Sequence, residues 1–146
     1  MATSTATSST TSQATSTPPK TTVQLEHVNF TVSDPDASAG LLGELFGWHV
    51  RWSGEALNAG YTVHVGTEGQ YVALYRPPAA PTNATDASTA VNGLNHVAVV
   101  VGDLDEIEGR VRAAGLEPFS FGDYEPGRRF YFFDRDGIEF EVVSYS

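Results

Sequence analysis

The chain repeats itself, and the repeat limits what it can fold into. Leu25-Glu26-His27-Val28-Asn29-Phe30-Thr31-Val32-Ser33-Asp34 aligns with Leu94-Asn95-His96-Val97-Ala98-Val99-Val100-Val101-Gly102-Asp103, an offset of 96 − 27 = 69 positions. Within 146 residues that leaves room for two copies. One copy alone would leave a face of its sheet uncovered. Each aligned run alternates Val or Phe with other residues, the period of a half-buried strand. An aspartate follows in both copies, placed to cap a helix: Asp34 ahead of Pro35, and Asp103 ahead of Leu104. The predicted helices span residues 35–46 and 104–114. Each ends at a glycine, Gly47 or Gly115, suited to a left-handed C-cap.

Three strands are predicted after each helix, at residues 48–52, 61–65 and 71–75, then at 117–121, 129–133 and 138–143. The last hairpin turns at Asp136-Gly137. The expected fold class is therefore α+β: two tandem βαβββ modules forming a concave mixed sheet with helices on the outer face. The modules are expected at about 23–76 and 93–146. Between them lies a linker, 77–92, where Pro77, Pro78 and Pro81 oppose both strand pairing and helix. Residues 1–22 are nearly all Ser, Thr, Ala, Gln and Pro, and are expected to be a disordered tail.

Composition narrows the chemistry. The chain has no cysteine, so any transition metal must take nitrogen and oxygen ligands. A net charge of −10 repels phosphate backbones and anionic lipids, so neither nucleic acid nor membrane is expected as a partner. No apolar run approaches the roughly 20 residues of a membrane span. The N-terminus has neither a charged n-region nor an apolar h-region, and a cytoplasmic location is expected.

Strand parity places the chemistry-bearing residues. If Val28, Phe30 and Val32 pack under the first helix, His27, Asn29 and Thr31 face the concavity. The same parity puts Val97, Val99 and Val101 under the second helix and His96 in the concavity. In the last strand Phe140 and Val142 face the core, and Glu139 and Glu141 the other side. Two imidazoles and one carboxylate form a facial ligand set that leaves open positions on an octahedral metal. In Tyr61-Thr62-Val63-His64-Val65, His64 shares the cleft face if the valines face the helix, and there it is a candidate general acid or base. His49 reads as structural or exposed. Trp48, Trp52, Tyr61 and Tyr71 are candidates to line an apolar pocket, at least half of them as core.

The arrangement resembles the vicinal oxygen chelate superfamily, which includes glyoxalase I, bleomycin-resistance proteins, fosfomycin-resistance proteins and extradiol dioxygenases. The resemblance covers Val23 to Ser146. It is carried by Leu25-Glu26-His27-Val28, by Leu94-Asn95-His96-Val97, and by Phe130-Tyr131-Phe132-Phe133-Asp134-Arg135-Asp136-Gly137-Ile138-Glu139-Phe140-Glu141. In the family's closing hairpin a carboxylate four residues after the glycine binds metal, which selects Glu141 over Glu139. The resemblance implies paired βαβββ modules and one divalent metal (Fe, Mn, Zn or Ni) held by His27, His96 and Glu141. Members with four protein ligands also use the last strand of the first module, where this chain has Ala73. Alanine cannot ligate, which departs from the glyoxalase I and methylmalonyl-CoA epimerase patterns. The remaining set is that of fosfomycin-modifying transferases and extradiol dioxygenases. The extradiol signature differs here at Asp123, Tyr124 and Glu125, where it has a histidine, and at Arg135, where it has a proline.

These readings give two expected functions. The first is a metal-dependent small-molecule enzyme, a lyase, transferase or dioxygenase, with His64 and Tyr131 catalytic and Asn29, Trp52, Arg129 and Tyr124 binding substrate. The second is a metal-independent protein that sequesters an antibiotic or apolar metabolite, as bleomycin-resistance proteins do. A homodimer is expected, because exchanged modules cover exposed sheet edges.

Overall fold

The computed structural model of the protein describes Thr17 and residues 20–146. The expected tail, residues 1–22, lies outside the described residues apart from Thr17 and 20–22. The fold is α+β, with two tandem βαβββ modules. The first holds β1 (His27–Thr31), α1 (Pro35–Phe46), β2 (His49–Glu55), β3 (Tyr61–Gly66) and β4 (Tyr71–Arg76). The second holds β5 (Val97–Val100), α2 (Leu104–Ala113), β6 (Phe119–Tyr124), β7 (Gly127–Phe133) and β8 (Glu139–Ser144).

Local chemistry sets the helix ends. Asp34 accepts from the backbone N–H groups of Asp36 and Ala37, and Asp103 from that of Glu106. Helix α1 stops at Gly47 with φ 69°, whose N–H returns to the Gly43 carbonyl. Helix α2 closes one residue earlier than expected, at Ala114. The left-handed residue is still Gly115, φ 79°, and Leu116 N–H reaches back to Val111 O at 3.1 Å.

The strands form two four-stranded mixed sheets, in orders β1-β4-β3-β2 and β5-β8-β7-β6. In each, the first strand runs parallel to the last and the other pairs are antiparallel. Both outer hairpins carry a one-residue register shift at corresponding places, between Val50 and Trp52 in β2 and between Phe119 and Gly122 in β6. No strand of one sheet pairs with a strand of the other among the described residues.

The modules meet through their helix-bearing faces. Phe30, Val63, Val65, Val72 and Leu74 from the first sheet join Phe130, Phe132, Phe140 and Val142 from the second in a single apolar cluster with Leu41, Leu45, Ile107 and Val111 of the helices. Phe46 at the end of α1 lies 6.3 Å from Phe132 and 6.2 Å from Phe140, ring centre to ring centre. Arg110 of α2 donates to the Glu44 carbonyl of α1, and Asp136 accepts from both the backbone and hydroxyl of Ser33. Outside the register shifts of β2 and β6, parity holds along both sheets with one local difference. Val28 is 40% exposed, because it sits at the start of edge strand β1, away from the helix that covers Phe30 and Val32. No helix among the described residues is long and apolar enough to cross a membrane.

The closing hairpin is organised by Asp134, whose Oδ1 accepts from the N–H groups of Asp136 and Ile138, while Gly137 takes φ 81°. Burial raises the Asp134 carboxyl above the usual range, against the lowering effect of these N–H donors.

Two outcomes follow. Phe132 is fully buried and joins both modules, so Phe132→Ala should cost about 3–5 kcal/mol in urea-unfolding experiments. For Asp134 the folded chain holds the proton more tightly than the unfolded chain. Its ionisation therefore works against the fold, and its contribution becomes more favourable as pH falls through the folded pKa, which lies above the ordinary aspartate value. Asp134→Asn should remove that component from the stability–pH profile while keeping the acceptor oxygen.

Candidate functional site

With the apolar faces turned inward, each sheet presents its other face to the outside. On the second sheet, register places Ala98, Glu141, Tyr131 and Phe119 in one row across the strands. His96, just before β5, reaches the same face. Its Nε2 lies 3.1 Å from Glu141 Oε2. The other carboxylate oxygen accepts from Arg129 Nη1 at 2.8 Å. Glu141 is only 8% exposed, and a carboxylate at that depth needs such partners. Arg129 lies over the Tyr124 ring, 5.1 Å from its centre, and its Nε is buried without a partner among the described residues. The Tyr131 ring meets the His96 ring edge-on at 5.9 Å. Burial and the Glu141 charge both push the Tyr131 phenol up, so it stays protonated and able to donate.

On the first sheet the corresponding row is Asn29, Ala73, His64 and Trp52. His64 thus stands where the second module has Tyr131, and Ala73 where it has Glu141. His27 opens β1 opposite Tyr71 and stacks on that ring at 4.8 Å. His64 stacks on the same ring at 4.7 Å and lies 6.3 Å from His27. Trp52 sits 5.2 Å from His64, and the Arg51 guanidinium covers Tyr71 at 4.5 Å. Burial, then the nearby charges of His27 and Arg51, lower the His64 pKa against the pull of Glu26. A neutral imidazole in that position can accept a proton.

The expected site residues therefore fall into two groups. His96, Glu141, Arg129, Tyr131 and Tyr124 share the second sheet's open face; His27, Asn29, His64 and Trp52 share the first's. The expected convergence of His27 with His96 and Glu141 does not occur within one chain, and no three His, Cys, Asp or Glu groups among the described residues are placed to hold a metal ion. The reason is packing. Burying both helix-bearing faces in one core turns the two open faces away from each other. His49 is exposed and paired with Glu68 at 3.0 Å, while Trp48 and Tyr61 pack against the core.

Sequence reasoning missed Arg51, which reaches the open face through the β2 register shift and breaks simple alternation. It also passed over the residue before each histidine. Glu26 Oε2 lies 2.9 Å from His27 Nδ1, and Asn95 Oδ1 lies 2.7 Å from His96 Nδ1. The repeat itself carried that signal.

The His96–Glu141 pair fits a divalent ion. Two adjacent ligands on an octahedral ion, each about 2.1 Å from it, stand about 3.0 Å apart, close to the 3.1 Å between His96 Nε2 and Glu141 Oε2. The donor set, imidazole and carboxylate without thiolate, suits Fe, Mn, Zn or Ni.

Several solved structures share this architecture. A glyoxylase/bleomycin resistance protein/dioxygenase domain from Frankia sp. EAN1pec superimposes with a TM-score of 0.73 at 24% identity, covering 85% of this chain and 98% of that one. SMU.1112c gives 0.70 at 20% identity, with 83% and 98% covered. The fosfomycin resistance protein FosX from Listeria monocytogenes, solved with Mn(II) and sulfate ion, gives 0.64 at 19% identity, with 86% and 95% covered. At these identities the likeness is one of fold. No curated protein matches the chain. The family model described as Glyoxalase/Bleomycin resistance protein/Dioxygenase superfamily matches residues 24–142, and with the paired βαβββ modules this makes the chain a member of that superfamily, the vicinal oxygen chelate group its repeated histidine strands resemble.

Proposed function

We propose that the protein is a divalent-metal-dependent enzyme acting on a small molecule, of the glyoxalase/dioxygenase type, and that it works as a homodimer. The open face of one subunit's first sheet closes on the open face of the other's second sheet, and His27 joins the partner subunit's His96 and Glu141. One observation carries this reading: the His96–Glu141 pair at ligand spacing on one open face, with His96's repeat counterpart, His27, on the other. FosX from Listeria monocytogenes, of like fold, holds Mn(II).

A bound divalent ion supplies Lewis-acid polarisation of a substrate oxygen and stabilises charge developing there. The chain's own groups do the rest. Tyr131, kept protonated, donates a hydrogen bond or proton to substrate. His64, kept neutral, accepts one. Asn29 offers an amide to substrate oxygens. Trp52 and Tyr124 wall the cleft and exclude water. Arg129 steadies Glu141.

A second reading, metal-independent sequestration of an antibiotic or apolar metabolite, draws support from one feature. Glu141 already has two partners, Arg129 and His96, and each open face carries an exposed aromatic ring, Tyr124 on the second and Trp52 on the first.

Elemental analysis of protein purified without chelator should find a divalent metal, lost in His27→Ala, in His96→Ala and in Glu141→Ala. Unchanged metal content in those variants would remove the metal reading. The shared site gives a sharper outcome. Mixing His27→Ala chains with His96→Ala chains should restore metal uptake, since each heterodimer regains one intact site, whereas a site built within one chain would not recover. Tight ligand binding undiminished by EDTA would favour sequestration.

A further inference from the structure

We propose that Glu26 and Asn95 are positioning residues that fix the tautomer of His27 and His96, each holding its ring with the proton on Nδ1 and Nε2 left as the ligating atom. The tautomer assignment stands on hydrogen bonding alone; its consequence for metal uptake rests on the proposed ligand set. The two residues occupy the same place in the repeat, directly ahead of their histidines. Glu26 directly precedes β1 and Asn95 lies two residues ahead of β5, where regular alternation has not begun and neighbouring side chains can still meet.

The donor inventory settles the direction of each bond. Glu26 is exposed, and a carboxylate of ordinary acidity is ionised near neutral pH, where it only accepts. His27 Nδ1, 2.9 Å away, must therefore carry the proton. Asn95 is fixed from its other end. Its Nδ2 donates to the Ser88 carbonyl at 2.8 Å, so the oxygen is the atom that faces His96 Nδ1 at 2.7 Å. His96 Nδ1 must donate as well. Its Nε2 faces Glu141 Oε2 at 3.1 Å, an arrangement that calls for a cation between the two atoms or, without one, a second proton on the ring. Fixing the far nitrogen in this way orients a ligating imidazole and raises its basicity.

The two anchors differ. Glu26 is charged, exposed, and held at one end. Asn95 is neutral and held at both, by the ring and by a backbone carbonyl of the inter-module segment. That segment thereby becomes part of the scaffold of one ligand.

The test combines a spectroscopic and a binding readout. In metal-free, 15N-histidine-labelled protein under mildly alkaline conditions, His27 and His96 should both show the shift of a protonated Nδ1. Asn95→Ala should abolish it for His96 alone, and Glu26→Ala for His27 alone. Affinity for Co(II), followed by its visible absorption, should fall about 10–100-fold in Asn95→Ala, with a smaller fall in Glu26→Ala. Glu26→Gln keeps an acceptor and should restore both readouts for His27. Ser88→Ala should change neither, because only its carbonyl is used. Unaltered Nδ1 shifts and Co(II) affinity in both alanine variants would overturn the proposal. Wild-type protein that shows both Nδ1 signals, each lost with its own alanine variant, yet takes up no Co(II) supports the tautomer assignment and defeats the metal reading instead.

Discussion

Two one-sided sheets sharing a single core is the constraint on which the rest of this structure depends. Each sheet has an apolar face rich in Val and Phe, and each helix covers only part of it. Packing the modules through those faces completes the burial, with Phe132 and Phe140 stacked at 5.3 Å and Phe46 reaching across from the other module. Hydrophobic burial at roughly 25 cal/mol per Å² makes this the dominant favourable term. It also decides where the chemistry goes. Residues of the opposite parity are forced outward on two faces, and every group argued to act on a ligand is one of them.

The second open face gathers opposite charges at shallow depth. Glu141 is held by Arg129 on one oxygen and approached by His96 on the other, while Tyr131 and Tyr124 screen the pair from water. Partial desolvation strengthens each of these interactions and keeps the Tyr131 proton in place. The first face contains no such carboxylate in its central row. Stacked rings take its place, His27, Tyr71 and His64, with a guanidinium over the middle one.

Much of this was legible in the residues. The repeated LxH strands, the Asp caps and the glycine stops gave both modules, and helix α1 runs over the residues expected of it. Parity correctly separated Val63 and Val65 from His64, and Phe140 and Val142 from Glu141. What alternation cannot report is how two modules are oriented, because either an edge-to-edge or a face-to-face arrangement satisfies the same pattern. That is why His27 was expected beside His96 and is found on another surface. Register shifts are equally silent. One additional residue in β2 brings Arg51 to a face where strict alternation would not put it.

Ala73 lies 1% exposed in the row that holds Glu141 in the other module. The two copies thus differ in chemistry at the same register position. One copy carries a carboxylate at this position, and the other a small apolar side chain in a face of stacked rings. In the proposed shared cleft, substitutions on the first face would alter what is recognised and leave Glu141 untouched. Such a chain can drift toward new ligands one module at a time.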